Sequence, residues 1–132
     1  MPTHSFRARH RLSLDHDYKA VFAHRLTKSR GPLIIFLKPN THPEHRLGLS
    51  IGRRVGNAVA RVRLKRAIRE AFRLDRPVYP YSDDTNTYDI IVSARAHNPL
   101  PLNDYRALLL DAIQAAHREH AKRIAKTDRS DP

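Results

Sequence analysis

The sequence predicts an α+β fold, in which a small and mainly antiparallel β-sheet packs with three helices. Its length of 132 residues suits a single domain. Strand-length apolar runs alternate along the chain with longer segments whose apolar residues recur at helical spacing. Gly, Pro and polar turn residues separate these segments. The predicted order is helix, two strands with room for a third, helix, strand and helix, which describes a sheet covered by helices.

The first predicted helix follows a basic arm. Residues 1–11 contain arginines but no acidic residue and lack the periodicity of a packed element, so they are interpreted as a mobile N-terminal arm. Ser13 is expected to cap the helix. The apolar side chains that share one face of this helix are Leu14, Tyr18, Val21 and Phe22. Gly31 and Pro32 are expected to break the chain after it.

Three strand-length runs provide the sheet. Residues 33–38 are largely apolar, and residues 47–51 alternate apolar side chains with Gly and Ser. Because only a short polar turn separates these two runs, we expect them to pair as an antiparallel hairpin. Residues 88–94 form a later β-type run with Ile and Val at its centre.

Two longer helices are predicted around this last strand. The first begins after Asn57, a residue suited to the N-cap position, and runs to about Leu74. The second begins near Asn103 and carries apolar residues at helical spacing. We therefore expect one domain over residues 12–126, followed by a disordered tail at 127–132.

The charge of the chain predicts a polyanionic partner. Its 25 basic and 13 acidic residues give a formal net charge of +12, and a field of that size attracts polyanions. The absence of cysteine excludes disulfides and thiolate metal sites. The longest apolar run, residues 33–37, is too short to span a membrane, and no secretory signal is recognisable. We expect a cytoplasmic protein without membrane association.

The positive charge is concentrated around the central helix. Residues 53–73 hold eight basic residues and a single acid, Glu70. At about 100° per residue, one arc of the helix collects Arg61, Lys65, Arg66, Arg69 and Arg73. Like charges at i,i+4 repel, so this arrangement costs stability unless an anion compensates it. Arginine also binds phosphate oxygens in a bidentate manner. The pattern favours nucleic-acid contact over a solvated helix face.

Three ungapped segments then carry a family resemblance. They are RLGLS at 46–50, RRVGNAV at 53–59 and RVRLKRAIREAFR at 61–73. With weaker similarity over about residues 11–120, they resemble the protein component of bacterial ribonuclease P. That family's signature reads Gly-Asn-Ala-Val, one residue, Arg-Asn-Arg, one residue, Lys-Arg, two residues and Arg-Glu. This sequence departs from it at Val62, where the family has Asn.

The resemblance implies a ribonucleoprotein that removes the 5′ leader of precursor tRNA by Mg²⁺-dependent phosphodiester hydrolysis. The RNA subunit is the catalyst and, with the substrate, binds most of the Mg²⁺, so the protein is expected to contribute neither a catalytic residue nor a metal site. The residues implied to bind the RNA subunit are Arg53, Arg54, Asn57, Arg61, Arg63, Lys65, Arg66, Arg69 and Arg73. The family fold also implies a left-handed β-α-β crossover around the signature helix, against the usual right-handed rule.

The resemblance further implies a cleft between the first helix and the sheet that binds the single-stranded leader. By position, its aromatic residues are Tyr18, Phe22 and Phe36. Tyr18 and Phe22 lie one helical turn apart, and Phe36 is expected on the strand face opposite to its apolar neighbours. Aromatic rings beside basic residues suit unstacked bases. The alternative is that all three are ordinary core residues.

No catalytic constellation is recognisable in the polypeptide itself. Its nine histidines are dispersed, and the close pairs, His42 with His45 and His117 with His120, are expected to be surface residues. A non-catalytic ribosomal or RNA-chaperone-type RNA-binding protein would share the charge pattern. A DNA-binding domain is disfavoured because strands, not a partner helix, flank the basic helix. The expected partners are the ribonuclease P RNA and precursor tRNA, with no obligate protein partner.

Overall fold

The computed structural model describes residues 8–83 and 86–130 and contains, within them, three α-helices and four strands. In chain order these are α1 (Asp15–His24), β1 (Thr27–Arg30), β2 (Leu33–Asn40), β3 (Arg46–Ser50), α2 (Ala58–Asp75), β4 (Thr87–Ala94) and α3 (Leu102–Ser130). Short 3-10 turns lie at Ala8–His10, Arg53–Val55 and Arg76–Val78. The order α-β-β-β-α-β-α confirms the predicted α+β fold, including a third strand before the central helix.

The sheet has the strand order β1-β2-β4-β3, with β1–β2 and β2–β4 antiparallel and β3–β4 parallel. The expected hairpin of β2 with β3 is therefore wrong, because β4 lies between them. The reason is burial: every residue of β4 except Ser93 is buried, and so apolar a strand is most stable with a neighbour on each edge. Helix α2 connects the parallel pair, and this is the connection for which the resemblance implies a left-handed crossover.

Strand β1 has no apolar signature in the sequence. Its residues, TKSR, are polar and alternate between exposed and half-buried, as befits an edge strand. Gly31 and Pro32, expected to break the chain, form the tight turn that joins β1 to β2 in an antiparallel pair. Gly31 has a φ of +54°, a conformation that glycine adopts without steric cost.

The two faces of the sheet bury different elements. Helices α2 and α3 cover one face, where Ile35 and Val92 of the sheet belong to the same buried cluster as Ile68 and Ile113 of the helices. Helix α1 crosses the other face. There the buried cluster consists of Leu12, Val21 and Ile91, with Tyr18 and Phe36 packed against it. Each Å² of apolar surface buried on either face contributes about 25 cal/mol to the stability of this arrangement.

The N-terminal arm packs against the domain at residues 8–11, where a mobile arm was expected. His10 is fully buried, and Arg11 forms a parallel β-bridge with Leu47. The backbone N–H of Leu12 continues this contact by donating to the Leu47 carbonyl at 2.8 Å. The exposed edge of β3 provides these backbone partners, which the arginine content of the arm could not reveal. Residues 1–7 lie outside the described residues.

Two helix ends also differ from expectation. Leu14, not Ser13, occupies the N-cap position of α1, and it makes no side-chain capping bond, because residues 11–12 remain extended alongside β3. Helix α3 continues to Ser130, into the segment predicted to be a disordered tail. No Gly or Pro interrupts α3, and the Thr127 hydroxyl donates to the Arg123 carbonyl at 3.0 Å. Residues 131–132 lie outside the described part.

One member of each histidine pair is buried, which corrects the expectation that both pairs lie on the surface. His45 is 2% exposed, and His120 is 8% exposed. The His45 Nδ1 accepts a hydrogen bond from the backbone N–H of Tyr88 at 3.0 Å, and its ring stacks on that of Tyr88. Burial lowers the pKa of His45 to about 4. His45 is therefore neutral at pH 7 and packs in the core beside β4.

Candidate nucleic-acid interface

The start of α2 sets the direction of the basic helix. The Asn57 Oδ1 accepts a hydrogen bond from the Ala60 N–H at 2.9 Å, which confirms the predicted N-cap. Gly56 precedes it with a φ of +148°, a backbone conformation that side chains disfavour. Arg53 and Arg54 lie just before this turn and are exposed. They therefore lie close to the first turn of α2.

Seven cations in this region have no carboxylate partner among the described residues. We call them the basic surface: Arg53, Arg54, Arg61, Arg63, Lys65, Arg66 and Arg69. Several arginines elsewhere are ion-paired, as in the 2.7 Å contacts of Arg46 with Asp89 and of Arg106 with Asp75. Uncompensated positive charge is thus concentrated on α2 and its preceding turn, as a surface for a polyanion requires.

Arg73 differs from the rest of the predicted set. Its Nε donates to the Glu70 Oε2 at 3.0 Å, one turn back on the same helix. This hydrogen bond raises the pKa of Arg73, and the same contact lowers the pKa of Glu70. Because its charge already has a partner, we place the end of the basic surface at Arg69.

Val62 lies between two cations of the basic surface and is 45% exposed. Val62→Asn is expected to change the free energy of unfolding by no more than about 0.5 kcal/mol, since both residues have similar helix propensity. Affinity for ribonucleic acid should be kept or improved, because Asn donates and accepts hydrogen bonds. Thermal denaturation and RNA titration measure the two effects. A loss of several degrees in Tm would contradict the exposed position.

The predicted aromatic residues meet where α1 crosses the sheet. We call Tyr18, Phe22 and Phe36 the aromatic cleft. The Phe22 and Phe36 rings form an edge-to-face pair with centroids 4.8 Å apart. Phe22 is 38% exposed, while Tyr18 and Phe36 are half-buried. The buried member of this helix is instead the neighbouring Val21, so α1 presents an aromatic edge to solvent beside its core residue.

Tyr18 attaches α1 to the edge strand β3. Its hydroxyl accepts a hydrogen bond from the Leu49 N–H at 3.0 Å, a backbone group on the outer edge of the sheet. The ring reaches this position because residue 48 is glycine: a Cβ there would lie 2.7 Å from the Tyr18 hydroxyl oxygen and 3.2 Å from the Leu12 Cβ. Gly48 therefore permits the close approach of α1.

Gly48→Ala is expected to destabilise the protein by about 1–3 kcal/mol, the usual cost of overpacking, because Tyr18 must move off the strand. Gly52→Ala is the matched control, since nothing lies within 4 Å of a Cβ at that position. Urea denaturation of both variants measures the difference. Equal stabilities for the two variants would show that the Tyr18 side chain can move away from residue 48 without lowering the free energy of unfolding.

An ion-pair network fixes the N-terminal end of α1. The Arg46 guanidinium donates to both carboxylate oxygens of Asp89, at 2.8 and 2.7 Å, and lies 3.8 Å from Asp17 of α1. Asp89 is 4% exposed and also accepts a hydrogen bond from the Asn40 Nδ2 at 2.7 Å. A buried carboxylate with this many donors holds Arg46, and Arg46 in turn holds α1.

Sequence reasoning missed one basic residue of the cleft region. Beyond Phe36, on the same face of β2, a cavity of about 560 Å³ is lined by Ile34, Ser50, Ser93, Arg53, Arg54 and Arg95, among others. Arg95 follows β4 directly and lies near the basic turn before α2 because β3 and β4 are parallel neighbours. The sequence does show a basic residue directly after a predicted strand. Its nearness to the basic turn before α2 could be predicted only with the strand order known.

A second, smaller pocket joins the aromatic cleft to the basic surface. Its volume is about 160 Å³, and its lining includes Tyr18, Ser13, Lys65 and Arg69. The structure thus brings the predicted cleft and the predicted basic helix side by side. Within residues 8–83 and 86–130, no group of three or more His, Asp or Glu residues could hold a metal ion. No helix in the same ranges is long and apolar enough to cross a membrane.

Comparison with known proteins identifies the family. The family model described as Ribonuclease P matches residues 6–118. The ribonuclease P protein component of Staphylococcus carnosus is 32% identical over 118 residues, which cover 89% of this chain and 90% of the relative. That of Clostridioides difficile is 34% identical over 86 residues, 64% of this chain and 70% of the relative.

Solved structures give the same result. The RNase P protein of Staphylococcus aureus superposes with a TM-score of 0.67 and 25% identity, over 81% of this chain and 94% of that one. The RNase P protein of Thermotoga maritima gives a TM-score of 0.66 and 27% identity, over 76% and 92% of the two chains. With its family match, its fold and its segregated basic helix, the chain belongs to the ribonuclease P protein family.

Proposed function

We propose that this chain is the protein subunit of ribonuclease P and that it binds the catalytic RNA subunit through the basic surface. The observation that carries the proposal is the set of seven cations without a carboxylate partner in the described chain. Their mutual repulsion is relieved when phosphates lie against them, and the released counterions add to the affinity. Five of the seven project from one rigid helix, which favours a structured RNA.

The aromatic cleft is proposed to bind the 5′ leader of precursor tRNA. Exposed and half-buried rings at Phe22 and Phe36 offer faces or edges for unstacked bases. The neighbouring pocket, lined by Tyr18, Lys65 and Arg69, joins this cleft to the basic surface. Because the cleft and the basic surface adjoin, one protein can hold the leader beside the RNA subunit and so assist its endonucleolytic removal.

The polypeptide is proposed to take no part in the bond cleavage. Mg²⁺ would supply the electrostatic stabilisation of the reacting phosphate, bound by the RNA subunit and the substrate. The described residues do not fit a Mg²⁺ site: no group of three or more His, Asp or Glu among them could hold a metal ion, and Asp89, Asp75 and Glu44 are already ion-paired with arginines. The protein's own contribution is to neutralise phosphate charge and to position the leader.

Reconstitution tests the proposal directly. A bacterial ribonuclease P RNA is incubated with precursor tRNA over a range of Mg²⁺ concentrations, with and without the purified chain. We expect the chain to lower the Mg²⁺ concentration needed for cleavage at the mature 5′ end, because its cations replace part of the screening by Mg²⁺. A chain that binds both RNAs but leaves cleavage unchanged at every Mg²⁺ concentration would be a general RNA-binding protein, and the proposal would fail.

A further inference from the structure

A side chain from the far end of the sequence holds the C-terminal end of α1. The Arg123 Nη1 of α3 donates to the His24 carbonyl at 3.2 Å, and its Nη2 donates to the Arg25 carbonyl at 2.7 Å. His24 is the last residue of α1, and Arg25 follows it with a left-handed φ of +57°. The two carbonyls at this helix end therefore share one guanidinium group.

The chemistry of this contact suits a helix terminus. The last carbonyls of a helix lack intrahelical partners and carry the negative end of the helix dipole. A guanidinium supplies both a positive charge and two parallel donors in a fixed geometry, which an ammonium group cannot do. Arg123 is itself held, since Glu119 lies 3.8 Å from its Nε and also 3.5 Å from Lys28 of β1.

The held turn is the one that carries Phe22. The Phe22 carbonyl accepts the Arg25 N–H at 3.2 Å, so Phe22 belongs to the same C-terminal turn whose outer carbonyls Arg123 binds. With only 10 residues, α1 is shorter than a helix that is stable by itself in water. Its N-terminal end is fixed through Asp17 and Arg46, and Arg123 fixes the other end.

We propose that Arg123 is a positioning residue for leader binding: it fixes the last turn of α1 and thereby the ring of Phe22 against Phe36. This inference rests on the proposed function of the aromatic cleft. Arg123 acts through the backbone of α1 and does not touch the leader. Its loss should free the turn, so that the Phe22 ring no longer keeps the edge-to-face geometry in which it meets a base.

The test compares two substrates on holoenzymes that contain wild-type chain, Arg123→Ala, Arg123→Lys or Lys122→Ala. Lys122 is exposed on the same helix, and its replacement by alanine removes one positive charge, as Arg123→Ala does. Arg123→Ala should weaken binding of leader-bearing precursor tRNA by roughly three- to ten-fold. Arg123→Lys should lose less affinity than Arg123→Ala, since the lysine ammonium group keeps a positive charge at this position. Binding of leaderless tRNA and of the RNA subunit should not change, and Lys122→Ala should equal wild type.

Hydrogen exchange of the free chain gives a readout that does not depend on substrate. Amides of the last turn of α1 should exchange faster in Arg123→Ala than in Lys122→Ala. If wild type does not distinguish the two substrates, the proposed function of the cleft fails, and this inference with it. If wild type does distinguish them and Arg123→Ala does so equally well, only the inference is overturned. Should Arg123→Ala not fold, the same comparison with Arg123→Lys decides between these outcomes.

Discussion

Replacing Lys65 and Arg69 together by alanine is expected to reduce the affinity for ribonuclease P RNA by on the order of ten- to a hundred-fold, at about 1 kcal/mol or more for each charge-assisted contact. The dependence on salt should change as well. On double-stranded DNA each phosphate contact makes the slope of log K against log salt concentration more negative by about 0.9, and we expect a similar contribution here. The salt dependence should therefore be less steep, with a slope that is about two units less negative for the double variant and about one unit less negative for Arg61→Ala.

The matched control for this prediction is the double variant Arg118→Ala, Lys122→Ala. Both residues are exposed on α3, and their removal lowers the net charge by the same amount. If binding were driven by net charge alone, the two double variants would behave alike. Wild-type slope in the α2 variant would show that Lys65 and Arg69 are solvated and do not contact the RNA.

Phe22→Ala is expected to weaken holoenzyme binding of leader-bearing precursor tRNA by roughly ten-fold or more, because stacking on an aromatic contributes about 1–3 kcal/mol per base. Binding of mature tRNA, which has no leader, should remain unchanged. Loss of the ring also removes the edge-to-face contact with Phe36, so stability should fall by about 1 kcal/mol. Equilibrium binding of the two substrates to the same holoenzyme measures the effect on the leader.

Tyr81→Ala serves as the control for loss of an exposed aromatic. Tyr81 is 49% exposed and lies in the segment before β4, with its ring against His45. It should leave the binding of both substrates as in wild type. Circular dichroism first establishes that each variant is folded. Equal losses for precursor and mature tRNA in Phe22→Ala would indicate a packing defect, and the leader would then bind elsewhere.

The elements that the sequence predicts correctly are those whose signals are local. Helix α2 has a cap, a buried stripe and a charged arc within one continuous segment, and Asn57 does cap it. Strand pairing is not local. The turn after β2 is compatible with a hairpin, but the more completely buried β4 takes the central place from a position far along the chain. Strand β1 lacks any apolar pattern and exists because Gly31 turns the chain back along β2.

The candidate site divides along the same line. The cations of α2 and the alternation that places Phe36 opposite Ile35 follow from periodicity alone. Periodicity does not reveal which cations have an ion-pair partner. Arg46 and Arg69 look alike in the sequence, yet only Arg46 has a buried carboxylate beside it. The contact between Arg123 and the end of α1 joins residues 98 and 99 positions apart, and no short-range pattern could predict it.

Two adjoining surfaces are expected to bind two different RNAs, and site-directed crosslinking tests this assignment most directly. The chain has no cysteine, so Val62→Cys, Ala23→Cys and Gln114→Cys, all at exposed positions, each accept one photoreactive group. In the holoenzyme with precursor tRNA, position 62 should crosslink to the RNA subunit, position 23 to leader nucleotides, and position 114 on α3 to neither. Crosslinks from position 62 to the leader, or from position 23 to the RNA subunit alone, would contradict this assignment of the two surfaces.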